Sequence, residues 1–349
     1  MVHLHGQKMN MMRAIKFLIS ALILLTALAG CRKGRTVPDV SGIKVNIHID
    51  RFEKDLFSLN LDSLDRGIAF IDSKYGTFAD IFNSHIILIG NDREPGYRQL
   101  LKKYLTDFTV NQLYTKCMEV YPSLGSLETD LSQAFRYYKY YFPSKQVPRV
   151  ISFVGGFNQN IVVSDSILGI ALDKYLGRDC ELYKLVTPPL PEYLIYNMHK
   201  GKIASDAMKG WVMGEFDLPD SLRTLMHNMV YSGKIMYLVQ SMMPGIPDSI
   251  LLGYTSGQLA WCLKHEKEMW TYLVEKRLLF STDQFRIKKF TEEAPFTKDF
   301  GRESPGKAVL WIGWRIVNQY MARNPQITPS QLMEEQDYSH ILELSRYDP

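Results

Sequence analysis

The chain has 349 residues, with 41 Lys and Arg against 37 Asp and Glu and a formal net charge of +4. Three cations, Lys8, Arg13 and Lys16, lie in the stretch 1–30, which holds no acidic residue, so removing them from +4 leaves +1 for the remainder. A nearly neutral chain with both signs interspersed lacks the electrostatic footprint of a nucleic-acid-binding protein, and its length suffices for one large domain.

The amino terminus reads as an export signal. Arg13 and Lys16 precede an uncharged run, 17–30. Such a run is too short for a helix to cross about 30 Å of hydrocarbon, but it suits a secretory signal. It closes on Leu28-Ala29-Gly30-Cys31, which resembles the lipobox of bacterial lipoproteins. Small side chains at Ala29 and Gly30 fit a narrow peptidase pocket, and the Cys31 thiol accepts diacylglycerol. A single acyl chain holds a membrane only marginally. The two or three that the resemblance implies, palmitate among them, make a stable anchor. The chain thus divides into a signal peptide (1–30), a lipidated cysteine with a polar spacer (31–42) and a single domain (43–349). Arg32 after the cysteine, where Asp is absent, favours the outer membrane over the inner, with the domain in the periplasm.

Along the domain, Val45, Ile47 and Ile49 alternate with polar neighbours, which predicts a strand, and Asp50 is placed to cap the helix that follows. From there to about residue 143 the spacing is helical. Residues 97–108 carry Leu100, Leu101, Tyr104, Leu105 and Phe108, and residues 127–142 carry an aromatic stripe of Phe135, Tyr138 and Tyr141 beside Tyr137 and Tyr140. At this spacing the stripe reads as a core face rather than a sugar-stacking platform. Short β-branched runs follow at 150–154, 161–163 and 167–172, divided by turns at Gly155-Gly156, Asn158-Gln159-Asn160 and Ser164-Asp165. Helices resume at 203–216, 220–243, 256–275 and 304–324, with short closing helices at 331–333 and 339–344. Ser304 and Pro305 read as N-cap and first residue of the fourth helix. Gly313, between Trp311 and Trp314, lets a neighbouring element approach closely. The pattern is α+β, helix-dominated, with a small central sheet.

Catalytic motifs are absent. No two histidines stand at i, i+4, and His265-Glu266 opens like H-E-x-x-H but continues Lys267-Glu268-Met269, so the second imidazole is missing. There is no G-x-S-x-G elbow and no S-x-x-K set. Cys117, Cys180 and Cys262 are isolated and read as buried apolar thiols, with one disulfide and an odd cysteine as the alternative. The 37 acidic residues nominate no carboxylate pair for glycoside hydrolysis. Residues 290–306 look unlike ordinary helix surface. They read either as a recognition loop, with Glu303 and Ser304 at a helix start, or as the approach to a well-capped core helix. No cofactor and no metal are expected.

Six further stretches stand out, in order: Arg51-Phe52-Glu53-Lys54-Asp55-Leu56-Phe57, Leu172-Asp173-Lys174-Tyr175-Leu176-Gly177, Met208-Lys209-Gly210-Trp211-Val212-Met213-Gly214-Glu215-Phe216, Tyr231-Ser232-Gly233-Lys234-Ile235-Met236-Tyr237, Glu293-Ala294-Pro295-Phe296-Thr297-Lys298 and Glu303-Ser304-Pro305-Gly306-Lys307. Together they resemble the gliding-motility lipoprotein GldB family. The resemblance implies an accessory envelope lipoprotein of gliding motility and linked protein secretion, with no agreed enzymatic activity. The order of strands, helix, and helix with a glycine is also similar to predicted zinc peptidases of the zincin type. There the middle helix carries H-E-x-x-H and the next carries Glu-Gly. The corresponding residues here are Ile203-Ala204-Ser205-Asp206-Ala207-Met208-Lys209-Gly210 and Ser232-Gly233. That alignment implies a peptidase-like fold without the ligands, and Lys209 would place a cation near the vacated metal position.

The leading expectation is therefore a non-catalytic, lipid-anchored interaction protein. Its partners would be other envelope proteins of a motility or secretion assembly, or peptidoglycan. A surviving groove would be lined or flanked by Asp206, Trp211, Glu215 and Ser232. The rival is a periplasmic hydrolase using carboxylates such as Asp206, Glu215 or Glu303, with or without a metal. Asp206 and Glu215 lie roughly opposite in helical phase, which speaks against a joint site.

Overall fold

The β-branched runs build a four-stranded mixed sheet. In the computed structural model, which describes residues 37–218 and 223–349, β1 (Ile49–Arg51), β2 (Arg149–Phe153) and β4 (Ile167–Ala171) run parallel. The edge strand β3 (Ile161–Ser164) lies antiparallel to β4, giving the order β1-β2-β4-β3. β1 falls later than the alternation of Val45, Ile47 and Ile49 predicts. The amides of Ile47 and Ile49 instead donate to Ser132 Oγ (2.8 Å) and Glu128 Oε1 (2.9 Å), side chains of a helix. Asp50 is not a helix cap: it belongs to β1 and pairs with Arg149 at 2.7 Å. The signal segment, Cys31, spacer residues 32–36 and the predicted helix start at 220–222 lie outside the described residues.

Both faces of the sheet are buried, because residues of period two point to opposite sides. Ile151, Phe153, Ile167 and Ala171 pack with Phe52, Tyr75, Phe78 and Phe82, while Val150, Leu168 and Ile170 join the larger core. The first side is covered by α1 (Phe52–Phe57), α2 (Leu64–Tyr75), α3 (Thr77–Ile81) and α4 (Tyr97–Thr106). The run predicted to continue through 108 breaks at Asp107, whose side chain accepts from Val110 N–H and caps α5 (Phe108–Val120). Leu101 and Leu105 are buried there, Leu100 and Phe108 exposed. On α6 (Gly125–Tyr141) the aromatic stripe is mostly core: Phe135, Tyr137 and Tyr138 are buried and Tyr140 is exposed.

The second half is helical: α7 (Glu192–Ile195), α8 (Ile203–Glu215), α9 (Leu225–Met242), α10 (Asp248–Leu252), α11 (Ser256–Glu275), α12 (Gln284–Thr291), α13 (Val309–Arg323), α14 (Pro329–Glu334) and α15 (Tyr338–Ser345). Two glycine contacts set its geometry. Gly210 and Gly214 of α8 sit on Ile161 and Val163 of β3, where an added Cβ would come within 2.6 and 2.8 Å. α9 and α13 meet backbone to backbone, since a Cβ on Gly313 would lie 1.9 Å from Met229 O and one on Gly233 2.2 Å from Gly313 O. Ser304 does not cap α13, which begins at Val309; its hydroxyl is buried in the preceding loop, 2.6 Å from Gly301 O. Cys117, Cys180 and Cys262 are buried free thiols. The helix-dominated α+β architecture with a small sheet is as the sequence predicts.

Candidate functional site

A cleft of about 710 Å³ opens over α8. Lys202, Asp206, Lys209, Gly210 and Met213 recur at three and four residues, so they share one face and form its floor. One wall is the edge of the sheet, Asn160 and Ile161, with Lys174 and Tyr175 from the turn after β4. The α7 segment contributes Tyr193, Tyr196 and Asn197, and the turn into α11 contributes Gly253, Tyr254 and Gln258. The last wall is a double loop, Glu293-Ala294-Pro295 against Pro305-Gly306-Lys307.

That double loop is latched internally. Buried Thr297 donates its N–H and its hydroxyl to Pro305 O (3.0 and 2.9 Å), and its Oγ1 accepts from Ala308 N–H at 3.0 Å. Ser304 Oγ accepts from Thr297 N–H at 3.1 Å. Gly306 is required by the close approach of the strands of the loop, since a Cβ there would stand 2.0 Å from Ala294 O. Tyr254 fastens the loop to α11 by donating to Lys307 O at 2.8 Å.

Charge in the cleft is mostly paired. Asp206 accepts from Lys202 Nζ at 2.5 Å and from Tyr175 Oη at 3.1 Å. Burial and the Asp206 carboxylate push the Tyr175 phenol well above its ordinary range. Lys307 pairs with Glu293, and Lys174 donates to Phe157 O at 3.2 Å. Lys209 differs: among the described residues no hydrogen bond or ion pair engages its ammonium. Burial first, and then the neighbouring Lys307 and Lys202, lower its pKa to about 8. Among the described residues no histidine lines the cleft, and no group of three His, Cys, Asp or Glu could hold a metal ion.

The residues expected at the groove are only partly brought together. Asp206 is on the floor, and Ser304 is buried under the double loop. Trp211, 2% exposed, points into the core against Phe135, at a ring-centroid distance of 6.3 Å. Glu215 pairs with Lys145 at the far end of α8, and Ser232 is half-buried on α9; neither lines the cleft. Glu303 is exposed in a second depression with Trp261, His265, Tyr272 and Phe300. His265 stacks on Trp261, and its neighbour Glu266 turns inward to accept from Trp311 Nε1, Arg315 Nε and Tyr347 Oη. Sequence reasoning missed the tyrosines and the Glu293–Lys307 pair, although four of the six stretches that carry the family resemblance supply cleft residues: Lys174 and Tyr175; Lys209, Gly210 and Met213; Glu293 to Pro295; Pro305 to Lys307.

Fold and site together define an α+β protein with a polar, lysine-floored cleft, in which no described helix is long and apolar enough to cross a membrane. A family model described as gliding motility protein GldB matches residues 33–349, and the chain belongs to that family of gliding-motility lipoproteins. Membership associates it with the cell envelope. No curated protein and no solved structure matches the chain.

Proposed function

We propose that this protein is a non-catalytic component of a gliding-motility or linked secretion assembly. In this reading lipid on Cys31 holds it at the outer membrane, and the cleft over α8 binds a polypeptide segment of a periplasmic partner. The observation that carries the reading is the convergence of four family-resembling stretches, far apart in sequence, on one cleft. The likeness of α8 to the metal-binding helix of a zinc peptidase belongs to the same proposal. At the floor, where that chemistry needs neutral imidazoles, this helix presents Lys202, Asp206 and Lys209. The glycine that follows in the peptidases has its counterpart in Gly233, here used for helix packing.

The test fills the cleft. Met213 lines it and is 41% exposed, so Met213→Trp adds volume there without disturbing the core. In the native host the variant should anchor and accumulate normally but fail to restore the motility or secretion that deletion abolishes. Full restoration would leave the domain as a passive tether. Purified full chain that retained stoichiometric zinc and lost a peptidase activity on chelation would overturn the non-catalytic reading.

A further inference from the structure

The cleft holds a charge that the fold leaves unanswered. Its lining carries four cations, Lys174, Lys202, Lys209 and Lys307, against three anions, Glu192, Asp206 and Glu293. Asp206 is committed to Lys202 and Glu293 to Lys307, while Glu192 is exposed at the rim on α7. With those two ion pairs set aside, the cations left without a carboxylate among the described residues are Lys174, which donates to Phe157 O, and half-buried Lys209 on the floor, whose ammonium has no partner there. Partial removal from water makes that bare ammonium costly and a bound anion correspondingly favourable. One unpaired ammonium matches a monoanion. A phosphate, with close to two charges and three acceptor oxygens, calls for a cluster of free cations, whereas Lys202 and Lys307 are ion-paired and Lys174 is bonded to Phe157 O.

The wall beside Lys209 suits extended backbone. Among the described residues, β3 has β4 as its sole neighbour in the sheet. Ala171 N–H donates to Asn160 O, and Val162 pairs with Gly169, so the alternation of an antiparallel ladder turns the N–H and C=O of Ile161 to the open side. Ile161 lines the cleft. An extended segment laid there can take up those groups as an added strand, with the amides of Asn160, Asn197 and Gln258 and the rings of Tyr193 and Tyr196 around its side chains.

We propose that the cleft recognises a carboxylate on an extended polypeptide, with Lys209 as its counter-charge and the open edge of β3 as its backbone partner. This rests on the reading of the cleft as a peptide-binding site. The full lipidated chain in detergent micelles is titrated with a degenerate pool of acetylated hexapeptides ending in a free carboxylate, and with the same pool ending in an amide. Inorganic phosphate is the control anion. A charge-assisted bond to a desolvated ammonium predicts that the carboxylate pool binds about ten- to hundred-fold more tightly than the amide pool. Lys209→Gln should erase that difference, and Lys209→Arg should restore part of it. The Lys209 amine, followed by NMR of the isotopically labelled protein, should rise in pKa when the carboxylate pool binds.

Equal binding of both pools would overturn the Lys209 assignment and leave the peptide-binding reading standing. Binding of neither would overturn both. Lys209-dependent binding of phosphate stronger than that of the carboxylate pool would replace the carboxylate by a phosphate ligand.

Discussion

Two lysines of this protein share a pKa lowered to about 8, and replacing them by methionine should move stability in opposite directions. Lys234 is 1% exposed on α9, but it donates to Met333 O (3.2 Å) and Glu335 O (2.6 Å) and lies 4.4 Å from the centre of the Tyr338 ring. Methionine there leaves two backbone acceptors without a donor, at about 1–3 kcal/mol each, and Lys234→Met should cost about 2–4 kcal/mol. Lys209 has no such partners among the described residues. A fall from 10.5 to about 8 corresponds to a ceiling of about 3 kcal/mol at about 1.4 kcal/mol per pH unit. Water entering the cleft screens part of that, so Lys209→Met should stabilise the fold by about 1–2 kcal/mol at pH 7.

The sign follows from linkage. A lysine whose folded pKa lies below its unfolded value costs stability wherever it is charged in both states. That cost is complete below about pH 8 and disappears as pH rises toward 10.5. The gain from Lys209→Met should fade over the same window. Urea unfolding of the two variants at pH 7 and pH 10 measures both effects. If Lys209→Met is destabilising at pH 7, the ammonium has a structural role in the cleft and the argument that it awaits a ligand fails.

Four further substitutions probe the frame around the site. Gly313→Ala gains up to about 1 kcal/mol of helix propensity but sets a methyl 1.9 Å from Met229 O; overpacking should win, lowering stability by about 2–4 kcal/mol, read as a fall in thermal midpoint. Glu266→Ala removes the acceptor shared by Trp311, Arg315 and Tyr347 and should cost about 2–4 kcal/mol through the stranded donors, whereas an exposed metal-ligand role would leave stability unchanged. Asp173, fully buried and accepting from Phe157 N–H at 2.7 Å, has its pKa raised to about 6 by burial, against the pull of those amides. A raised acid makes the folded state bind more protons than the unfolded, so this group's contribution to stability falls as pH rises from about 4 to 6; Asp173→Asn should flatten that slope in pH-dependent urea midpoints. Thr297→Val keeps the volume of the latch but strips its hydroxyl from Pro305 O and Ala308 N–H. It should cost about 1–3 kcal/mol and speed hydrogen exchange across residues 293–308 while leaving the cleft surface chemically unchanged.

What was legible in the sequence was set by local periodicity. The runs at 150–154, 161–163 and 167–172 became β2, β3 and β4, and the long helices lie within a few residues of their predicted ends, because alternation and three-to-four spacing act over one turn or one pleat. The errors fell where a distant partner decided. Val45 and Ile47 alternate like a strand, yet α6, far along the chain, takes the Ile47 amide through Ser132. Ser304 before Pro305 has the form of an N-cap, but Thr297 claims its hydroxyl and α13 starts at Val309. Trp211 and Glu215 share a helix with Asp206, and packing against partners remote in sequence, β3 on Gly210 and Gly214 and Phe135 on Trp211, determines which face of that helix meets the cleft. Lys209 could be singled out from the resemblance to zinc peptidases. Its lack of a partner charge could not, because Glu293 and Lys307 reach the cleft from a double loop remote in sequence from α8 and neutralise each other there.

We favour binding over hydrolysis as the proposed use of this cleft because of the state of its carboxylates. A general base needs an oxygen free to take a proton from water, and a general acid needs a carboxyl kept neutral by an apolar surround. Asp206 already accepts from Lys202 and Tyr175, and Glu293 is bonded to Lys307, so the two carboxylates nearest the floor serve as fixed partners of cations. Glu192 stands exposed on the far wall. Meanwhile the glycine contacts at Gly210, Gly214 and Gly306 and the Thr297 latch hold the floor and one wall in close contact with their neighbours. Close-packed walls around a cation without a partner among the described residues suit an arrangement built to hold an anionic segment in a fixed orientation, and Lys209, with its pKa lowered to about 8, is the lining amine able to exchange a proton near neutral pH. If that amine acted as a base, activity would rise through about pH 8 as it lost its proton. A carboxylate-binding ammonium requires affinity to fall through the same pH, so one titration across that range separates the two uses.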